Sequence, residues 1–521
     1  MKFWKLRRDG YTSSLRITML TEALLGVLLL VLLVTFINRK PKGLPPGEWG
    51  WPVIGAWVPP GVTMDAHAWK LKQKYGDIFT WRVGSRTIVF LNNISLIKEA
   101  FSNPELQDRP DFYTFDSFTS FKKIGLANSN GATSLRNRRF ALRQLKDLGM
   151  GKSSLMEAIQ YEVQCLVEDF RKHTGSAQPI PWSLNVAVLN VIWKIVSDIR
   201  FDVNDPEVYN FNKLNTEAFE LSQGGNLVFD MFPWLPYISP AFLTRKLGVE
   251  AMLRTFSLIR DYVLTCNGSC LWLQGVVNNH EASLNPSAPR DYIDMYLVEM
   301  AAQKDNPEST MSKDDLWVQV ADLFTAGGET TNQTLRWAIM YMIKYPHIQT
   351  RLQKEIDDVV PRTNLPSLQD KPKLAYLEAV ISEVNRSVSV TALGLSHFAA
   401  NDTQIAGFKI PKGTVIIGNQ EMCHKDPAYW EKPNEFYPEH FLDSQGKYNT
   451  KKESYIPFST GKRVCPGEAL ARMELYLFLS ALLQNFTFSA PEGEEWDLKK
   501  DPNALLFNFP KPYNIIINER K

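Results

Sequence analysis

Between Phe458 and Gly467 the chain reads F-S-T-G-K-R-V-C-P-G, with Cys465 as its reactive residue. Gly461 and Gly467 flank the cysteine, Arg463 stands two residues before it and Pro466 follows it. From Glu468 the pattern turns periodic (Glu468, Ala469, Leu470, Ala471, Arg472, Met473, Glu474, Leu475), which predicts a loop feeding a buried helix. A cysteine there faces the positive end of the helix dipole and free amide protons, and both favour thiolate over thiol. Thiolate is the form that ligates metals, and haem iron is one centre that takes a single cysteine ligand. A lone cysteine is more often a small buried hydrophobe. The neighbours argue for more. Two glycines allow a tight turn and the close approach of a flat ligand. Arg463 is placed to meet a carboxylate such as a haem propionate, and Phe458 to pack beside the sulfur.

A second group with chemical potential is Ala326-Gly327-Gly328-Glu329-Thr330-Thr331. It sits inside Ser312–Tyr345, an apolar stretch that predicts one long helix, with Ser312 and Asp315 forming an N-terminal capping pattern. Two consecutive glycines in a helix each cost about 1 kcal/mol relative to alanine, and a buried acid adds to that cost. Close packing accounts for glycines, and bonds back to helix carbonyls account for threonines. Neither explains the acid, whereas a hydroxyl beside a carboxylate can relay protons to iron-bound dioxygen. A third pair, Glu383 and Arg386, falls on one face of a helix predicted over Leu374–Val390. Its neighbours Leu377, Val380, Ile381, Val384 and Val388 predict burial, and the later F-Y-P-E-H-F supplies His440.

These groups need a large helical scaffold, and the chain is long enough to build one. It has 521 residues, 44% of them hydrophobic and 22% charged, without repeats or low-complexity tracts. A net charge of +2 gives no reason to expect nucleic-acid binding. Five cysteines are too few and too scattered for a disulfide framework, and Cys266 and Cys270 lack further ligands at metal-binding spacing. Ile17–Ile37 is apolar enough to cross a bilayer, which takes about 20 helical residues. Basic residues and no small-residue cleavage site follow it, so a retained anchor is expected. Basic residues on both sides leave its orientation open. Starting at Met19 would remove Lys2, Lys5, Arg7, Arg8 and Arg16 and settle it, so Met19 is the expected working start.

A proline-rich hinge, Pro41 to Gly55, then precedes the body. Helices are expected over Ala66–Tyr75, Ser153–His173 and Ser183–Ile199, and strands within Ile78–Leu91 across a Gly84-Ser85 turn. Asp111–Phe121 reads as an aromatic-rich loop. The proline-broken connector Phe219–Pro240 suits either buried packing or a membrane-dipping lip.

In this order the motifs resemble those of the cytochrome P-450 monooxygenases, and within them the animal microsomal family-2-like branch. F-x-x-G-x-R-x-C-x-G is matched at every fixed position, and A-G-G-E-T-T, E-x-x-R and P-E-H-F follow the family's sequence of motifs. The resemblance implies a mainly α fold with a small β-rich region, preceded by one transmembrane helix. Residues 1–40 would form the extension and anchor, 41–55 the hinge and 56–521 the haem-thiolate domain. It implies haem b with Cys465 as axial iron ligand, and Arg463, Phe458, Gly461, Gly467 and Ala326 around the cofactor. Arg138, in a basic helix entered through Ser134–Phe140, and His397, at the end of a strand over Ser387–His397, would meet the propionates. Ser134 stands where the family has tryptophan, His440 where many members have arginine, and Ala392 and Ser396 where prolines are usual.

Thr330 and Glu329 would be the alcohol and acid of the proton relay, and Glu383, Arg386 and His440 a structural brace. The implied reaction inserts one atom of dioxygen into a lipophilic substrate such as a steroid, sesquiterpenoid, fatty-acid-like compound or xenobiotic. No G-x-G-x-x-G dinucleotide motif is present, so electrons from NADPH would arrive through a flavoprotein reductase docking near Lys462, Arg143 and Lys146, with cytochrome b5 as a possible second donor. The expected location is the endoplasmic reticulum membrane with the catalytic domain in the cytosol. Two alternatives are a haem-thiolate isomerase or dehydratase that does not use dioxygen, and a haem sensor without turnover.

Overall fold

The computed structural model describes residues 2–59, 62, 64–113, 116, 119, 121–152, 155–206, 208–209, 227–235, 273–493, 496–501 and 507–521. Cys266, Cys270, Phe115, Phe118 and most of the connector Phe219–Pro240 lie outside them.

A helix over Lys2–Ile37 leads the chain. Its Met19–Phe36 stretch is long and apolar enough to cross a membrane, and none of it is buried among the described residues. The hinge that follows is stitched onto the body. Leu44 and Pro45 are buried, the amide of Thr80 donates to the Pro46 carbonyl at 2.7 Å, and Gly47–Glu48 adds a parallel edge strand to a five-stranded sheet. Two strands of that sheet, Ile78–Val83 and Arg86–Leu91, form a hairpin around Gly84-Ser85. Gly84 has φ +58° there, in the region where glycine carries no side-chain penalty. Val415–Gly418 joins in parallel to Arg86–Leu91, and His397–Phe398 closes the other edge.

The helical part surrounds Lys313–Lys344, which runs through the main core. Ser312 caps it as the sequence predicts, its hydroxyl accepting from the Asp315 amide at 3.1 Å. The neighbouring helix Ser183–Ser197 is buried nearly all round, as its mostly apolar sequence requires. The paired glycines are explained at this contact. A Cβ on Gly327 would lie 2.6 Å from Ile192 Cδ1, and one on Gly328 2.2 Å from Leu189 Cδ2. Close helix packing therefore uses both glycines.

One expected element differs. Ser387–His397 is not a strand, since the preceding helix Ala375–Val388 ends at Ser389 with φ +46° and turns follow as far as Ser396. Asn508 explains the change. Its side-chain amide donates to the carbonyls of Val388 and Ser389 (2.8 and 3.1 Å), and its backbone amide donates to Val390 (2.9 Å). These groups are thereby unavailable to a sheet ladder.

Two acids on the long helix reach out to the chain ahead of the basic helix Gly131–Asp147. Asp315 accepts from the Gly125 amide and Asn137 (2.8 Å each), from the Tyr296 hydroxyl (2.8 Å) and from Gln319 (2.6 Å). Asp322 accepts from the amides of Leu126 and Ala127 (2.7 and 3.0 Å), and burial pushes its carboxyl up to about 6. Asp315→Ala removes one acceptor from four donors at once. It is expected to destabilise the fold by about 3 kcal/mol, read as a lowered denaturant midpoint; a midpoint equal to wild type contradicts this role.

Candidate active site

The cysteine loop is shaped by backbone bonds before any ligand is considered. The Cys465 amide donates to the Phe458 carbonyl at 2.9 Å. Between them Ser459 and Gly461 take φ +66° and +79°, and Gly461–Arg463 forms a single 3-10 turn. Gly461 answers to protein rather than to a flat ligand, because a Cβ there would lie 2.3 Å from the Phe101 carbonyl oxygen. Gly467 is different. A Cβ there would meet only Cys465 Sγ, at 3.9 Å, so that side of the loop is open. Phe458 is half-buried and carries the Arg472 guanidinium over its ring at 4.9 Å.

Cys465 is exposed, just ahead of the helix Glu468–Asn485. The amides of Gly467 and Glu468 point at its sulfur, as a helix N-terminus should. Two influences oppose each other at this sulfur. Protein packed around the sulfur pushes the thiol up, outweighing the two amides and Arg138. Cys423, by contrast, is buried with its thiol pushed up to about 12, which marks it as structural.

Beside the sulfur is a cluster of buried positive charge. Arg463 donates to the carbonyls of Ser129 (3.0 Å) and Ala127 (2.9 Å) and closely to the Ser134 hydroxyl. Ser134 thus supports Arg463, which is what it offers in place of tryptophan. Arg138 donates to the Val464 carbonyl, next to the cysteine. Arg109, which sequence reasoning missed, donates to Ala127 (3.2 Å) and to Leu395 and Ser396 (2.9 Å each). Its partners lie up to 287 positions away, so no local pattern marks it. Among the described residues no carboxylate hydrogen-bonds to any of the three. Burial, then their mutual repulsion, lowers the pKa of Arg109, and the same two causes bring Arg463 down to about 10.

His397 lies by this cluster, 2% exposed and stacked on Phe101 at 3.9 Å. Its Nδ1 donates to the Leu106 carbonyl at 2.6 Å, and burial with Arg109 and Arg463 holds it neutral. A cluster of cations with Asp108 and Asp322 near Arg463, but with no carboxylate hydrogen-bonded to it among the described residues, beside an open cysteine, fits an iron cofactor carrying carboxylates.

On the long helix, Ala326 is exposed and Thr330 half-exposed, next to buried Gly328 and Glu329, so the two form an open strip. The Thr330 hydroxyl donates to the Ala326 carbonyl at 2.7 Å. Glu329 is 3% exposed and accepts from Gln333 at 2.6 Å. Adjacent helix residues do not share a face, so acid and alcohol leave the helix in different directions. The next residue, Thr331, meets Glu474 of the cysteine helix. Burial pushes Glu474 well above the usual carboxyl range, so it is a neutral acid, a role that no local pattern around it marks.

The brace is complete. Arg386 donates to both Glu383 oxygens (2.7 and 2.8 Å), and to the carbonyls of His424, Pro433 and Glu435 (2.8, 2.8 and 2.7 Å). Glu383 also accepts from the Tyr437 amide (2.8 Å) and from His440 Nδ1 (3.2 Å). The Lys432 amide donates to His440 Nε2 at 3.2 Å, which fixes the proton on Nδ1 and lets a neutral imidazole serve as third member. His424, to which the sequence assigned no role, repeats the device. The Ile456 amide donates to its Nε2 at 3.0 Å, and its Nδ1 donates to Ser389 at 2.6 Å. Through Ile456 it ties the brace to the start of the cysteine loop.

A sequence model of the family described as Cytochrome P450 matches residues 45–517. Cytochrome P450 2L1 of Panulirus argus is 50% identical over 489 residues, 94% of this chain and 97% of that protein. Cytochrome P450 2B2 of Rattus norvegicus is 36% identical, covering 95% of this chain and 99% of its own length. Cytochrome P450 2J2 of Homo sapiens is 35% identical, covering 91% and 92%.

Burial and nearby Arg386 hold His424 neutral, with its pKa pushed down to about 3. The unfolded chain takes up that proton at about pH 6.5, so the stability contribution is full above this pH and is lost as pH falls from there towards 3. His424→Gln should therefore be less stable than wild type at neutral pH, and the gap should narrow on acidification. A gap in denaturant midpoint that stays constant down to pH 4 contradicts a neutral buried imidazole.

Proposed function

The chain belongs to the cytochrome P450 family and is a cytochrome P450 monooxygenase, and from that premise we propose that it oxidises lipophilic organic molecules at a membrane, with Cys465 as the iron ligand. The family's cofactor is haem-thiolate iron, working with dioxygen and with electrons from NADPH passed on by a reductase. The observation that carries the site assignment is the exposed Cys465 sulfur beside Arg109, Arg138 and Arg463, which lack hydrogen-bonded carboxylates among the described residues.

Bound haem supplies the redox centre for dioxygen activation. The protein's part follows from the geometry. The Gly467 and Glu468 amides stabilise negative charge on Cys465 once its proton has left. Arg109, Arg138 and Arg463 would receive the carboxylates as charge-assisted donors, and His397, whose Nδ1 proton is committed to Leu106, would join them only by taking up a proton at Nε2 once a carboxylate lies against it. Thr330 holds its hydroxyl on the open strip beside Ala326. Because that hydroxyl donates to the Ala326 carbonyl, its lone pairs face outward to accept a proton. It can pass one on after releasing that carbonyl. Glu329 leaves the helix on another face, so its proton reaches Thr330 through an intervening water rather than directly.

The lipophilic substrate class rests on the family and on the apolar anchor. The finer reading is a steroid, sesquiterpenoid, fatty-acid-like compound or xenobiotic. The reductase, with cytochrome b5 as a second donor, is proposed to dock on the face bearing Lys462, Arg143 and Lys146, in the endoplasmic reticulum membrane with the catalytic domain in the cytosol.

Purified protein with NADPH-dependent reductase and lipid extracts should consume NADPH and place one ¹⁸O atom from ¹⁸O₂ in a product. A product formed without NADPH or dioxygen would point to an isomerase or dehydratase. Thr330→Ala should lower product by about 10²-fold, the lower end for a lost proton donor, while NADPH consumption persists and peroxide rises. Unchanged coupling contradicts the relay role.

A further inference from the structure

We propose that His280 is a proton-operated lock: its doubly protonated ring pins the helix Leu273–Ser283 to the cap of the helix Tyr292–Ala302 and lets go when one proton leaves. The geometry carries this. His280 is 6% exposed, and each of its ring nitrogens faces an acceptor. Nδ1 lies 2.7 Å from the Val276 carbonyl oxygen, one turn back on its own helix, and Nε2 lies 2.7 Å from Asp291 Oδ2. A neutral imidazole has a single N–H, so it would turn a lone pair on one of these two oxygens. The imidazolium donates to both.

The charges around the ring are few and mostly paired. Asp291 is fully buried and caps Tyr292–Ala302, its Oδ1 accepting from the Asp294 amide at 2.9 Å. With one oxygen on the cap and the other on the ring, this carboxylate joins the two helices. Asp294, also fully buried, is held by Arg290, whose Nε donates to Oδ2 at 2.6 Å and Nη2 to Oδ1 at 2.9 Å. Asp198, beyond the end of Ser183–Ser197, acts on Arg290 in turn and pairs with Lys194. From the long helix, Lys313 pairs with exposed Glu281 at 2.7 Å, and Asp315 is committed to its own donors. The buried charge left for His280 to balance is therefore that of Asp291. A divalent cation is the rival occupant, since ligand atoms of His280, Asp291 and Asp294 lie within 4.8 Å of one another. It would have to displace both Arg290 and the proton between ring and carboxylate.

Burial by itself favours loss of the ring proton. The bond to Asp291, that residue's charge, the Val276 carbonyl and Asp294 outweigh it and raise the imidazole above its ordinary value. Stability from this contact is therefore whole below about pH 6.5, where the unfolded chain also carries the proton, and is lost as pH rises through the folded value. His424, held neutral, has the opposite dependence. Little else on the helix competes with the lock: among its described side chains, Val276, Val277 and His280 are the buried ones. A helix with so few buried contacts opens as a local unit when one of them fails. The helix it is pinned to is tied inward by other bonds, Tyr292 to Gln319 and Tyr296 to Asp315 of the long helix. Opening thus frees the outer helix and leaves those inner bonds in place.

The test follows the ring itself. Full-length, haem-loaded protein in its ferrous carbon monoxide state is labelled with ¹⁵N in its seven histidines, and His280→Gln identifies the His280 signals. At about pH 6.5 both ring nitrogens should resonate as imidazolium, with a titration midpoint that lies higher. Asp291→Asn keeps a capping side chain and removes the charge, so the midpoint should fall; that movement also assigns the signals if His280→Gln does not fold. Hydrogen exchange over residues 276–283, corrected for intrinsic rates, should be about 10-fold slower in wild type than in His280→Gln below that midpoint. The difference should close as the ring titrates. A midpoint at or below about pH 6.5, or one unmoved in Asp291→Asn, overturns the proposal. So does an exchange difference that is the same at every pH. Zinc that shifts the Nε2 resonance and restores slow exchange in alkaline solution would make these side chains a metal site and overturns it as well.

Discussion

A buried ion pair survives only if every hydrogen-bonding position around it is filled, and the pair Glu383–Arg386 meets that condition. All five guanidinium N–H groups are spent on the acid and on three carbonyls, and the acid's remaining positions go to a backbone amide and to His440. The three carbonyls belong to His424, Pro433 and Glu435, so one side chain gathers a stretch with no regular ladder to hold it. His424 extends the hold to Ile456 and thus to the loop that presents Cys465. The position of the sulfur is in this sense set from the helix Ala375–Val388, far away in sequence.

The two sides of the site are built by different physics. On the cysteine side, carbonyls of residues 126–129 face Arg463 and Arg109, while amides of residues 125–127 face Asp315 and Asp322 on the long helix. That short segment is held between acids and cations, and its peptide dipoles link them. It couples the long helix to the cofactor's expected carboxylate partners without a direct salt bridge. On the other side, function depends on where burial fails. Ala326 is exposed and Thr330 half-exposed beside buried Gly328 and Glu329, and the adjoining glycines let the Ser183–Ser197 helix approach closely.

Much of this was legible in the sequence because it is local. The cap at Ser312, the hairpin around Gly84-Ser85, the E-x-x-R face and the loop-to-helix passage at Cys465 each depend on residues within a turn or two. What was missed is non-local. Arg109 and His424 acquire their roles from partners tens to hundreds of positions away, and Glu474 becomes a neutral acid only because two helices enclose it. The expected strand over Ser387–His397 failed for the same reason, since Asn508 claims its backbone from across the fold. The local argument for a thiolate saw the amides of Gly467 and Glu468 but not the protein packed around the sulfur, which opposes them.

The central claim is that Cys465 ligates the iron in front of this arginine cluster. The carbon monoxide difference spectrum of reduced, haem-loaded protein tests it most directly. Wild type should give the band typical of thiolate ligation, and Cys465→Ser should lose it while the fold stays intact by circular dichroism. The same thiolate band from Cys465→Ser would contradict the account.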